Sequence, residues 1–192
     1  MASNAPSRSS APHRPAQLMS ASEIERSLVR LAHEIVDKSE DIAKVGLVGI
    51  KRRGVPLAER LARYIQRIEP AGVPVGTLDI TFYRDDLSQV APKPVVQMAE
   101  VGFDVAGKDV ILVDDVLFTG RTARAAMDAL FDHGRPHRVE MCVLVDRGHR
   151  ELPIEAEFVG RKVETTLDQV VKVNLQEVDG EDKVLLVQRA DL

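Results

Sequence analysis

A chain of 192 residues, 44% of them hydrophobic, holds enough apolar surface for one domain with a full core. Its 26 Lys+Arg against 30 Asp+Glu leave a formal charge of −4, which excludes a generally basic nucleic-acid binder while leaving room for a local basic patch. The lone Cys142 excludes an internal disulfide, and no apolar run reaches the ~18 residues of a membrane span. A reducing, cytoplasmic setting without membrane contact is the expectation.

Residues 1–19 are rich in Pro, Ser and Ala and lack apolar periodicity, so they are expected to be a disordered tail before a domain over 20–192. Ser20 or Ser22 can cap a helix whose first turn carries Glu23 and Glu25. Its apolar stripe is Ile24, Leu28, Leu31 and Ile35, and a second face carries Arg26, Arg30 and His33. Val45–Ile50 reads as a buried strand that runs into Lys51, Arg52, Arg53 and Gly54. A helix over 55–68 follows, with Leu57, Leu61, Tyr64, Ile65 and Ile68 inward. Cations and a glycine at a strand's carboxyl end lie where open α/β sheets bind ligands.

Pro74–Tyr83 alternates as a strand closed by Arg84, Asp85 and Asp86. Residues 87–107 show little periodicity, and a loop of that length inside a domain fits a mobile lid. Val110–Val113 reads as a strand covered on both faces, with Asp114 and Asp115 at its expected end. Thr119-Gly120-Arg121-Thr122 then opens a helix with Ala123, Ala126, Met127, Leu130 and Phe131 at helical spacing. Val139–Val145 is another buried strand, delivering the segment from Asp146 to Ile154 to the same edge. Short strands at 157–159, 170–173 and 184–187 follow, the last two joined as a hairpin through Gly180. This order predicts an α/β fold: a central, mainly parallel sheet flanked by helices.

The stretch 110–122 also carries chemistry. Free N–H groups at a helix start, with the positive end of its dipole, favour a phosphate dianion. Gly120 permits close approach of backbone, the Thr119 and Thr122 hydroxyls add donors, and the two carboxylates can accept from ribose hydroxyls. No Walker-type or Gly-x-Gly-x-x-Gly fingerprint competes for the phosphate.

The same residues resemble the phosphoribosyl-pyrophosphate (PRPP) signature of type I phosphoribosyltransferases. With Leu47–Gly54, Leu78–Leu87 and Val145–Ile154 in the same order, the chain from Ser20 onward is similar to bacterial pyrimidine-operon attenuation regulators that also have uracil phosphoribosyltransferase activity. The resemblance implies a type I phosphoribosyltransferase fold with a mobile loop and a small hood region. It implies the reaction uracil + PRPP → UMP + diphosphate with Mg²⁺, UMP or UTP as effectors, leader mRNA as partner, and a homodimer or homotetramer.

On that resemblance Asp114, Asp115 and Arg84 are catalytic. Arg52, Arg53, Asp85, Thr119, Gly120, Arg121, Thr122, Asp146, Arg147 and Val171 bind substrate; Lys51 stays open, and no residue is assigned to hold the metal. Several purine-type relatives place an acid before the Thr-Gly pair, where this chain has Phe118, so no general base is assigned and a purine substrate is disfavoured. The RNA-binding positions implied are Arg30, His33, His149, Arg150 and Arg161. The chain departs from the family at Val29, Glu155 and Glu164, exchanges that remove a hydroxyl and reverse a charge. A uracil salvage phosphoribosyltransferase without an RNA-binding role is therefore the alternative, and a nucleotide-sensing regulator without catalysis a third reading.

Overall fold

A computed structural model describes residues 15–83 and 101–191. Five parallel strands form the central sheet in the order β3-β2-β4-β5-β6: β2 (Val45–Ile50), β3 (Val75–Leu78), β4 (Asp109–Leu117), β5 (Arg138–Asp146) and β6 (Phe158–Lys162). Every residue of β2 is buried, the mark of a strand covered on both faces. The chain passes from β2 outward to β3 and then returns to β4 on the other side of β2. The order therefore reverses between β2 and β4, which opens a crevice at their carboxyl ends.

Two helices, α1 (Ala21–Lys38) and α2 (Gly54–Ile68), cover one face of this sheet, and α3 (Arg121–Phe131) covers part of the other. The predicted stripe of α1 is buried as expected, with Ile24, Leu28, Leu31 and Ile35 packed among Leu47, Ile111 and Val113. Ser20 is the cap: its N–H and hydroxyl both donate to the Glu23 carboxylate at 2.8 Å. On the α3 side, Val48, Ile50, Val110 and Leu112 meet Ala125, Ala126, Ala129 and Leu130.

Four sequence expectations are corrected. The tail boundary moves back, because Ala16–Ser20 is a strand, β1, paired antiparallel with β8 (Lys183–Gln188); residues 1–14 lie outside the described residues. The strand expected to reach Tyr83 stops at Leu78, since the Asp79 carboxylate accepts from the Thr81 N–H (3.0 Å) and hydroxyl (2.6 Å) and turns the chain. Phe131 lies one step around α3 from Leu130, outside the buried arc, and is 54% exposed. The lid expectation fails over 101–107. There Val101 and Val105 are buried, and the Phe103 ring lies across Gly46, where a Cβ would be 2.5 Å from it. Residues 87–100 lie outside the described residues.

β1, β8 and β7 (Gln169–Asn174) make a separate antiparallel sheet in that order, the hood, with the short helix α4 (Gln176–Asp179) and Gly180 in its β7–β8 connection. This connection is tied to α2 by two arginines. Arg53 donates to both Asp179 oxygens at 2.7 and 3.0 Å. Arg60 donates to Glu177 at 2.5 and 2.8 Å and twice to Asp182 at 2.8 Å. Only 12% of the Arg60 side chain is exposed, so these bonds are shielded from competing water.

The Arg60 guanidinium holds the carboxyls of Glu177 and Asp182 below the usual range, and Arg53 does the same for Asp179. A carboxyl lowered in the folded state stabilises above its unfolded pKa, near ~4, and loses that contribution as pH falls through the folded value. Arg60→Ala should cost about 1–3 kcal/mol at pH 7, read from urea midpoints, because two carboxylates lose their partner. The gap to wild type should close as pH drops below about 4.

Candidate functional site

The crevice at the β2–β4 switch point is built around one close backbone approach. Gly54 opens α2 directly against β4: a Cβ there would lie 2.1 Å from the Val113 carbonyl oxygen. Any larger residue would push α2, and the basic run before it, away from the acidic pair. Lys51 and Arg52 are exposed at this edge, joined by a cis peptide. Lys51 Nζ is 3.4 Å from Asp79. Arg53 points instead to the hood, onto Asp179.

Asp114 and Asp115 lie within β4, which continues to Leu117, rather than beyond its end. Strand alternation places Asp114 on the α3 side after Val110 and Leu112, and Asp115 on the α1/α2 side after Ile111 and Val113. Each carboxylate accepts the N–H of the next residue, at 2.9 Å for Asp114 and 3.0 Å for Asp115. Burial pushes the Asp114 carboxyl well above the ordinary range, and the charge of Asp115 adds to it. Burial raises Asp115 too, against the bond to Asp114 and the nearby Arg53 charge, which favour its ionised form.

Past Leu117 the chain turns through Phe118, Thr119 and Gly120. Gly120 caps α3 with φ +91°, a left-handed conformation that glycine adopts without a Cβ clash. The Thr119 hydroxyl accepts from Arg121 N–H at 3.4 Å, and Arg121 and Thr122 are exposed at the helix start. The β5–β6 connection braces this loop. Glu151 and Leu152 N–H donate to Thr119 O (2.9 and 3.2 Å), Arg150 donates to Phe118 O (2.8 Å), and Arg121 Nε lies 2.7 Å from the Glu151 carboxylate.

Arg147 is 4% exposed, with its guanidinium 4.1 Å from the Phe118 ring centroid. It donates to the Thr165 hydroxyl (3.2 Å) and Thr166 O (3.0 Å). His149 meets the edge of the same ring at 5.9 Å. Sequence reasoning had treated Phe118 only as a missing acid; here it is the apolar platform between Arg147 and His149. Asp146 accepts from Arg150 (2.6 Å) and Gly148 N–H (2.9 Å), and Val171 lies in β7 of the hood. Arg84 and Asp85 lie outside the described residues.

The residues proposed for RNA divide by element. Arg30 and the exposed His33 are on α1, and Arg161 is on β6. Arg30 donates to Glu34 (2.5 Å) and to Val159 O (3.0 Å) and Gly160 O (2.7 Å) of β6. Arg161 donates to Leu18 O and lies 4.0 Å from Glu23. His149, at φ 60°, and Arg150 belong to the β5–β6 connection. The Arg150 guanidinium is engaged inward, on Asp146, Phe118 O, Gly148 O and Ile154 O.

Residues 16–178 match the phosphoribosyl transferase domain. Over 174 residues the chain is 57% identical to the bifunctional protein PyrR of Thermus thermophilus, covering 91% of this chain and 96% of that one. It is 55% identical over 176 residues to the bifunctional protein PyrR of Pelotomaculum thermopropionicum, covering 92% and 97%. The chain belongs to the PyrR family of phosphoribosyltransferases. Its fold is shared more widely. A hypoxanthine-guanine phosphoribosyltransferase of Bacillus anthracis superposes with a TM-score of 0.65 at 20% identity, over 90% of this chain and 96% of that one. A Trypanosoma cruzi hypoxanthine phosphoribosyl transferase reaches 0.70 at 17% identity, over 97% and 96%. The expected type I phosphoribosyltransferase fold is thus the one the family adopts.

The contact at Gly54 yields a test of this crevice. Gly54→Ala should cost at least about 1–3 kcal/mol, because the added methyl meets backbone that can yield only by moving α2. Thermal melts of the two proteins measure it.

Proposed function

We propose that this chain transfers the 5-phosphoribosyl group of PRPP to uracil, giving UMP and diphosphate. We propose also that it binds pyrimidine-operon leader RNA under the control of uridine nucleotides such as UMP or UTP. One observation carries the catalytic half: a desolvated carboxylate pair stands within one strand and one turn of a glycine-capped helix start, at the switch point of a parallel sheet. This arrangement suits a ribose 5-phosphate. The loop from Thr119 to Thr122 holds the phosphate through backbone N–H groups and hydroxyls. Asp114 and Asp115 then lie at the ribose, where they orient its hydroxyls and stabilise positive charge developing at C1 as the diphosphate departs.

Mg²⁺ is the implied cofactor. Among the described residues no group of three or more His, Cys, Asp or Glu is placed to hold a metal by itself. Two hard carboxylates beside an incoming diphosphate suit an ion whose remaining oxygen ligands come from substrate and water. When bound, the ion would neutralise the leaving diphosphate. Arg52 is exposed to assist at the same group, and Arg84 shares that proposed role, while Asp85 keeps only its proposed place among the substrate-binding residues. Arg53 would reach it by leaving Asp179. The base is read against Phe118, Asp146, Arg147 and the backbone near Val171, an apolar and polar mix suited to the small uracil ring. A homo-oligomer in the cytoplasm completes this reading; among the described residues no helix is long and apolar enough to cross a membrane.

A specific observation favours the second reading, a salvage enzyme without an RNA role. Glu155 lines a cavity of 240 Å³ with Glu140 and Glu157, and of these three acids Glu155 alone has no cation beside it among the described residues. RNA contact then depends on Arg30, His33 and Arg161 on α1 and β6, with His149 beside Phe118.

Asp114→Asn and Asp115→Asn should each lower kcat by on the order of 10²-fold at saturating PRPP and Mg²⁺. Melting temperature of the unliganded protein should not fall with Asp114→Asn, because the amide removes a raised, desolvated carboxyl. Near-wild-type turnover in both variants sinks the site assignment. For the RNA half, a gel shift with leader RNA should tighten when UMP is added. Glu155→Arg should tighten it further and steepen log K against log[salt] by about 0.7. Absence of any shift leaves the salvage reading.

A further inference from the structure

The outer face of α2 presents cations that neither the core nor the proposed catalytic site uses. Arg60, Arg63 and Arg67 recur at helical spacing and, with Tyr64, Glu25, Ser22, Ala21 and Asp182, line a cavity of 560 Å³ between α2 and the start of α1. Arg60 is engaged by Glu177 and Asp182. Arg63 and Arg67 are exposed and make no salt bridge among the described residues; Arg67 rests over the Tyr64 ring at 5.3 Å. Of the two acids on the cavity wall, Asp182 is paired with Arg60, and Glu25 accepts the Tyr64 hydroxyl at 3.4 Å. Left toward a ligand are two guanidinium groups, one of them over the half-buried Tyr64 ring, beside the single carboxylate of Glu25.

Across the α1 ridge lies a second cavity, of 270 Å³, lined by Arg26, Ser27, Arg30, Gly160 and Arg161 among others. Its acid, Glu23, is turned onto Ser20 in the helix cap. The two concavities flank the same first turns of α1, so their cations form one band from α2 over α1 to β6. A strand of phosphates with unstacked bases fits such a band, because guanidinium groups neutralise the backbone and an aromatic ring takes a base. The cavity at Glu140, Glu155 and Glu157 instead offers such a ligand an unpaired carboxylate at Glu155.

We infer that Arg63, Tyr64 and Arg67 form a second arm of the RNA-binding surface, contacting single-stranded RNA that also crosses Arg26, Arg30 and Arg161. This rests on the RNA half of the proposed function. The test uses the full chain and pyrimidine-operon leader RNA at several salt concentrations. R63A/R67A should weaken binding by at least tenfold and flatten the salt slope by about 0.7 for each guanidinium removed. Tyr64→Ala should weaken binding with little change of slope, and Tyr64→Phe should retain it. Uracil phosphoribosyltransfer and melting temperature should stay at wild-type values in R63A/R67A, since both side chains are exposed. If R63A/R67A binds as wild type while Arg30→Ala binds more weakly, the α2 arm is wrong and the RNA reading stands. If wild type binds no leader RNA at any salt, both fall. If R63A/R67A instead shifts the sedimentation coefficient with RNA affinity intact, the face belongs to a second copy of the chain and the inference is overturned.

Discussion

Two adjacent carboxylates in a central strand impose a demand that much of this molecule answers. Desolvation raises both, and positive charge nearby favours their ionised forms. Consecutive strand positions face opposite sides of the sheet, so one cation on one face cannot serve both. Under the proposed function, a phosphorylated sugar with Mg²⁺ would reach the pair from the edge of the crevice at the β2–β4 switch point. Gly54 makes that crevice narrow, because only a residue without a Cβ lets the start of α2 lie on Val113. Arg53, one residue earlier, is near enough for its charge to favour the ionised form of Asp115 while its donors hold Asp179.

Arginine takes two distinct parts here, bracing the fold or facing solvent. Arg60, Arg147 and Arg150 are half-buried or buried, and their donors end on carboxylates, carbonyls or a hydroxyl of the protein itself. Their planar forks hold separate segments in fixed relation: the hood to α2, the β6–β7 turn to Phe118, and the β5–β6 connection to the phosphate loop. Arg52, Arg63 and Arg67 are exposed, and their charges face solvent and ligands. Since the loop 118–121 and the segment 150–154 share backbone bonds and two arginine contacts, they form one structural unit. A displacement of either is felt by the other.

The sheet, the three long helices and the acidic pair were legible because each rests on local patterning. Unbroken apolar runs marked strands covered on both faces, and i, i+4, i+7 spacing marked α1 and α2. Failures came where distant contacts override pattern. Gln17 and Met19 look like the end of a Pro- and Ser-rich tail, yet β8 supplies a pairing edge that turns them into a strand. Residues 101–107 are irregular as their pattern suggests, yet they are packed down, because the absence of side chains at Gly46 and Gly76, far away in sequence, makes the space that Phe103 fills. Arg150 sits in a basic motif that reads as exposed. Its engagement depends on carbonyls of 118, 148 and 154 converging on one point, which spacing alone does not show.

Net charge hides the most informative electrostatic feature. At −4 the chain as a whole repels nucleic acid, yet its charges are unevenly spread. Glu140, Glu155 and Glu157 gather on one cavity, while Arg26, Arg30 and Arg161 line another and Arg63 and Arg67 a third. Screening at physiological salt, with a Debye length of ~8 Å, confines each cluster's field to its own neighbourhood. A long anion approaching this surface would thus respond to the local sign, not the total.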